Sequence, residues 1–159
     1  MSQLVVDLKH LKTLAKRYEI ADGIDDGDEK KHNRIQSSKR FRMVVQLVDF
    51  LFCERNKERT DGLFCKMVVR NLCCSGVING GEEMSLYMSE RLFSAHKDDP
   101  MLINGQILDI RIGLWYGTYQ SPPIFETINF KILSQSDVCE FCEFIRSPTG
   151  ETFLNISNS

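Results

Sequence analysis

No hydrophobic run in this sequence is long enough to cross a bilayer; the apolar stretches are as short as Met43-Val44-Val45. There is no leading basic, apolar and small-residue signal segment, which sets the expectation of an intracellular protein. Histidine is scarce, at three residues, and His10, His32 and His96 each lack the neighbouring carboxylate or nucleophile that a general base needs. A glycine-rich phosphate loop is missing too, because Gly80-Gly81 follows a turn asparagine and lacks the lysine and hydroxyl that hold phosphate and magnesium. The formal net charge is only −2, which argues against a nucleic-acid protein that relies on global positive charge. Together these absences predict a protein that binds or builds: no enzyme, no metal, no cofactor and no small-molecule substrate.

What is present is a chain of 159 residues, 42% apolar and 26% charged, the composition of one folded domain. Its charge is unevenly placed. Residues 22–29 carry five acidic side chains and no basic one, whereas residues 30–42 carry six basic side chains and no acidic one. Like-charge blocks repel and rarely pack, so this region reads as a solvated linker with a basic block that is available for contacts. Six cysteines are expected to be reduced, small apolar residues. Cys139 and Cys142 have redox spacing near a helix start, and a small oxidoreductase built on them would show a depressed thiol pKa. Structural zinc needs four ligands, and Cys73-Cys74 with isolated histidines does not complete such a set.

Leu4, Leu8, Leu11, Ala15 and Tyr18 recur at helical spacing, with Lys9, Lys12, Lys16 and Arg17 largely on other faces, which predicts a basic amphipathic helix. Such a helix can lie on an anionic membrane, or its leucines can pack on the domain core or on a partner. The glycines and aspartates of residues 22–28 end it. Residues 1–38 are therefore read as a helix plus a mobile, charged linker, and residues 39–159 as one domain. From Lys39 onward Phe41, Met43, Val45 and Leu47 alternate as a long strand. Phe64, Val68 and Leu72, four apart between a capping Thr60 or Asp61 and Gly76, predict a helix over residues 61–74, with a Val-rich strand as the rival reading. Asn79-Gly80 signals a hairpin turn ahead of the alternating Met84, Leu86 and Met88. Strands follow over residues 108–116 and 124–133, paired antiparallel, then a helix capped by Ser134 or Ser136 with the stripe Val138, Phe141, Cys142 and Ile145, and a short closing strand over residues 152–156. The fold class is α+β: a mainly antiparallel mixed sheet with two or three packed helices and a mobile basic N-terminal segment.

This order of elements resembles the rhabdovirus matrix proteins, in the shorter form of the plant-infecting members. The resemblance rests on Phe41-Arg42-Met43-Val44-Val45-Gln46-Leu47 as a long first strand, on Gly113-Leu114-Trp115-Tyr116-Gly117-Thr118, and on Gly150-Glu151-Thr152-Phe153-Leu154-Asn155-Ile156-Ser157 after the last helix. Pro122-Pro123-Ile124-Phe125 departs from the family's budding motif, having phenylalanine where tyrosine belongs. The resemblance implies a structural protein of the virion that self-associates, condenses the viral nucleoprotein-RNA complex and bridges it to an anionic membrane surface and the glycoprotein cytoplasmic tail during budding. Its location would be the inner envelope face of the virion, the host cytoplasm and the periphery of host membranes. Lys9, Lys12, Lys16, Arg17, Lys30, Lys31, Arg34, Lys39, Arg40 and Arg42 would then contact membrane or nucleocapsid, and Leu4, Leu8 and Leu11 would be the helical anchor. Trp115, Tyr116 and Tyr119 are either core or an aromatic self-association patch. The alternative is a host-directed protein-binding module whose N-terminal helix docks in a partner's groove.

Overall fold

The computed structural model describes residues 2–21, 35–52, 63–72, 82–100, 102–116 and 123–151. In chain order the elements are β1 (Gln3–Leu4), α1 (Leu8–Ala21), β2 (Ile35–Phe52), β3 (Leu63–Asn71), β4 (Glu83–Ser89), α2 (Glu90–His96), β5 (Ile107–Tyr116), β6 (Ile124–Ile132) and α3 (Gln135–Arg146). The acidic block over residues 22–29, Lys30, Lys31, Arg34, the turn Asn79-Gly80, Tyr119 and the expected strand over residues 152–156 lie outside the described residues.

The sheet is built on β2, which runs for 18 residues and works on both its edges. Its later half pairs antiparallel with β3, from Val45 opposite Asn71 to Phe52 opposite Cys65. Its earlier half pairs antiparallel with β5, from Ile35 opposite Tyr116 to Gln46 opposite Ile107. The strand order β1-β2-β3-β4-β6-β5, with the extra β2–β5 ladder, therefore closes into a five-stranded barrel, and β1 is added in parallel outside β2. Register shifts in β2, between Gln36 and Arg40 and between Leu47 and Asp49, supply the bends that closure needs. The expected α+β class and the antiparallel pairing of β5 with β6 are as observed. β4 and β6 run parallel, registered through Tyr87 and Glu126.

Alternation fills the barrel. Phe41, Met43, Val45 and Leu47 of β2, Cys65, Met67 and Val69 of β3, Met84, Leu86 and Met88 of β4, and Leu108, Ile110, Ile112 and Leu114 of β5 all point inward into one core. The expected helix over residues 61–74 is instead the strand β3. A spacing of four is compatible with one face of a helix and with one face of a strand, since four is also a multiple of two. Pairing on both edges, with β2 and with β4, decides for the strand.

Two helices sit at opposite mouths of the barrel. α1 lies at the end where β3 finishes and β4 begins, because Asn71 Oδ1 accepts a hydrogen bond from Leu8 N at 2.9 Å and Lys12 reaches Glu82. Asp7 caps it: Asp7 Oδ1 accepts from Lys9 N at 3.0 Å and from Asn71 Nδ2 at 3.1 Å. Val5, Leu8, Leu11, Leu14 and Ala15 belong to the same core as the strands, so α1 plugs the barrel from within the fold. α2, which the sequence reading left out, starts where β4 ends. Its cap is Ser89, whose hydroxyl accepts from Leu92 N, and its Phe93 meets Phe50 edge-on with ring centroids 6.3 Å apart. α3 has the cap expected at Ser134, a reciprocal capping box with Asp137, and it buries Cys142 and Ile145 from its stripe. A five-stranded antiparallel barrel that closes first strand to fourth, with one parallel pair, is the OB-fold architecture.

Candidate functional site

Among the described residues no group of three His, Cys, Asp or Glu side chains could hold a metal. Cys139 is an exposed thiol, whereas Cys142 is disulfide-bonded, which corrects the expectation that every cysteine is reduced. The two are not paired with each other, so the spacing that suggested a redox site does not make one. Among the described residues the surface offers contact chemistry in at least three places.

The first is α1 and the groove beside it. Leu4, Leu8 and Leu11 are 6%, 0% and 0% exposed. Leu8 and Leu11 are thus spent on the protein's own core and cannot enter a membrane or a neighbour, while Leu4 lies in β1, mostly buried, at the lining of a second groove. The opposite face keeps its charge: Lys9, Lys12, Lys16 and Arg17 are all exposed. Lys12 and Lys16 overhang a groove of about 480 Å³ whose other lining residues include Ser85, Tyr87, Ile124 and Phe125. β4 and β6 are registered at Tyr87 and Glu126, and the groove lies at their N-terminal ends.

The second is the outer wall of the barrel. Lys66 and Tyr87 stand side by side on paired strands, the ammonium 5.3 Å from the ring centroid. Trp115 donates its indole N–H to Glu126 Oε1 at 2.7 Å, and Tyr116 is only 2% exposed. Tyr116 therefore belongs to the core, which removes it from any self-association patch. The remaining cations are partly committed. Lys39 lies 4.9 Å over the Tyr18 ring, Arg40 donates to the carbonyls of Ser37 and Lys39, and Arg42 makes two hydrogen bonds to Asp109, at 3.0 and 2.8 Å. Those hydrogen bonds raise the Arg42 pKa above the ordinary arginine value, against the opposing effect of burial.

The third is a groove of about 480 Å³ between the β2–β5 wall and α3, where Leu4, Val44, Leu133, Phe141 and Phe144 supply apolar lining. Phe144 remains 37% exposed there, a large aromatic at the surface of a helix. Sequence reasoning named the cations and the α3 stripe but missed Tyr87 and Phe144. The signal for Tyr87 was its parity: an aromatic on the solvent side of the Met84, Leu86 and Met88 alternation is placed for contact.

No family model matches the chain. Over 160 aligned residues, which cover the whole of both proteins, it is 64% identical to the telomere length regulation protein TEN1 of Saccharomyces cerevisiae (strain ATCC 204508 / S288c). Among solved structures, the crystal structure of yeast Stn1 and Ten1 matches with a TM-score of 0.54 over 97% of this chain and 96% of that chain at 19% identity, a likeness of fold. The full-length identity overturns the resemblance to rhabdovirus matrix proteins, which rested on short segments such as the one that begins at Gly113, in the last part of a barrel strand. The viral structural function and the host-directed alternative fall with it. So do self-assembly with nucleoprotein-RNA, membrane and glycoprotein tail as partners, and the location in virions or at host membranes. The protein is not an enzyme, and the chain belongs to the family of the telomere length regulation protein TEN1.

Proposed function

We propose that this protein is a small OB-fold subunit that acts at chromosome ends in the nucleus by pairing with an Stn1-type protein, and that the pair limits or supports telomere extension. The observation that carries this reading is the 64% identity along the entire length of a telomere length regulation protein. The presence of Ten1 together with Stn1 in a solved crystal structure of the same fold supports the choice of partner. The α3 groove is the surface we assign to that partner. It joins an apolar lining to a rim of Arg42, Asp109, Lys131, Asp137 and Glu140, the anatomy of an interface with a hydrophobic centre and a charged border. Phe144 is the aromatic anchor in this arrangement.

Co-expression with the Stn1-type protein of the same organism, followed by size-exclusion chromatography, tests the pairing. A one-to-one complex is expected, and Phe144→Asp is expected to weaken it by about 2 kcal/mol or more, the scale of an interface anchor. Because Phe144 is already part-exposed, the folded monomer should keep its melting temperature within a few degrees. A wild-type chain that elutes alone in every condition would remove the reading.

A further inference from the structure

We infer that Ser147 is a phosphorylation site for a proline-directed protein kinase, and that a phosphate there switches off the partner face of α3. The proposal rests on the assignment of the α3 groove to an Stn1-type partner and adds the regulation of that groove.

Ser147-Pro148 is one of two Ser-Pro steps in the sequence; the other, Ser121-Pro122, lies outside the described residues. Proline has no N–H and disfavours the helical region for the residue before it, so α3 stops at Ser147. The serine is accordingly extended, at φ −77° and ψ 156°, and Arg146, Pro148 and Thr149 around it are exposed. This is the form in which a kinase can select proline after its acceptor. A pocket that offers no hydrogen-bond acceptor loses nothing with proline, whereas any other residue would leave its N–H unpaired there. Ser147 itself is half-buried, but it sits at a helix end, where local opening is least costly.

What the hydroxyl does now fixes what a phosphate would undo. Ser147 Oγ donates to the Phe144 carbonyl at 2.6 Å and accepts from Gly150 N at 3.0 Å. Ser147 N donates to the same carbonyl at 3.1 Å, and Glu151 N donates to Ser147 O at 2.9 Å. Ser147 thus ends α3 and caps the turn over residues 148–151, with proline in its first position. That turn is folded tightly onto the helix, since a Cβ at Gly150 would collide with the Phe144 carbonyl. These contacts converge on the backbone of Phe144, the aromatic anchor of the groove.

In the modification, Ser147 Oγ bonds to the γ-phosphorus of ATP and the bond from that phosphorus to the bridging oxygen breaks. ADP leaves, and the hydroxyl proton passes to the kinase's base. The esterified oxygen has no proton left for the Phe144 carbonyl. About 1.5 to 2 negative charges arrive beside the last carbonyls of a 12-residue helix, the negative end of its dipole. Glu143 and Glu151, one turn to either side, add like charge, while Arg146 is the basic residue of the last turn and donates from Nε to Cys142 O at 3.2 Å. The turn that follows would favour a phosphate at its start, but its row of peptides is much shorter than that of α3 and does not offset the repulsion. The balance falls against the last turn of α3 and against the placement of Phe144.

The test treats the full chain with a purified proline-directed kinase and ATP, and locates the phosphate by mass spectrometry. Modification of Ser147 is expected. Affinity for the Stn1-type protein, by calorimetry, is then measured before treatment, after it, and after phosphatase. Phosphorylation should weaken the complex about tenfold, the combined effect of a lost cap and a helix-end charge of the wrong sign, and phosphatase should restore it. The same kinase treatment should leave the affinity of Ser147→Ala where it was. An untreated wild-type chain that does not pair would strike the assignment of the α3 groove. Where the untreated chain pairs, three results would each overturn the switch: Ser147 left unmodified, the phosphorylated chain binding as tightly as before, or an equal loss in kinase-treated Ser147→Ala.

Discussion

At the scale of single residues, burial decides what a charged or apolar side chain is for. The leucines of α1 carried a correct local message, an amphipathic helix, and a wrong destination, because nothing in a heptad-like spacing says which apolar surface will receive it. Arg42 shows the same for charge. Counted in sequence as one of six cations available for contact, it is instead held by Asp109, whose side chain is only 13% exposed. Arg42→Ala is expected to cost about 1 kcal/mol, moderated by the 40% exposure of the arginine side chain and by Arg111, whose Nη1 lies 3.5 Å from the same carboxylate. The pH dependence has a definite sign. Hydrogen bonding to Asp109 raises the folded-state pKa of Arg42, so its contribution is complete below the ordinary arginine value and is lost only as pH climbs through the raised one. Urea denaturation at about pH 6 and at about pH 9 should therefore give the same difference between wild type and variant, both conditions lying well below the arginine range.

Elements were legible where their period was unambiguous. β5 alternates along its length, β6 alternates from Ile128 to Ile132 in sequence although a register shift buries Thr127 rather than Ile128, and α3 announces itself by a capping serine followed by an apolar stripe. Ser134→Ala should cost about 1 kcal/mol, seen as lower helical signal and a lower melting temperature, since the hydroxyl that accepts from Asp137 N at 3.1 Å is lost. If α3 forms the partner face, the same substitution should weaken the complex by a smaller factor than Phe144→Asp does. β3 was misread because Phe64, Val68 and Leu72 satisfy two periods at once, and only its neighbours on both edges choose between them. α2 escaped notice for a different reason: it is seven residues long and buries none of its side chains fully, so it leaves no stripe. The basic face of α1 was readable as charge, yet the groove beside it was not, because its lining comes from two strands, β4 and β6, that are far apart in the chain.

The whole molecule is the scale at which local patterns say least. Closure of the barrel, the parallel β4–β6 pair and the seating of α1 in the barrel mouth are long-range facts, and no window of ten residues contains them. One consequence is testable. A chain that starts at Lys39, the boundary drawn from composition, would lose Val5, Leu8, Leu11, Leu14 and Ala15 from a continuous core. Such deletions leave a cavity far larger than a single truncated side chain, for which the cost is already about 2–5 kcal/mol. The shortened chain is expected to be insoluble or to lack dispersed NMR amide signals, whereas a version that merely neutralises Lys9, Lys12 and Lys16 should keep the full spectrum.

The double duty of β2 has a further consequence, in time. Arg42 reaches diagonally across the β2–β5 ladder to Asp109, which stands opposite Val44, and the two are separated by 67 positions in sequence. During translation at about 5–20 residues per second, the earlier strand emerges roughly 3–13 s before its second partner. For that interval a long, apolar edge rich in Phe, Met and Val has no mate on its own chain, which is the circumstance in which strands pair with strangers. A nascent chain of this design is expected to gain from chaperone protection during the seconds before the barrel can close.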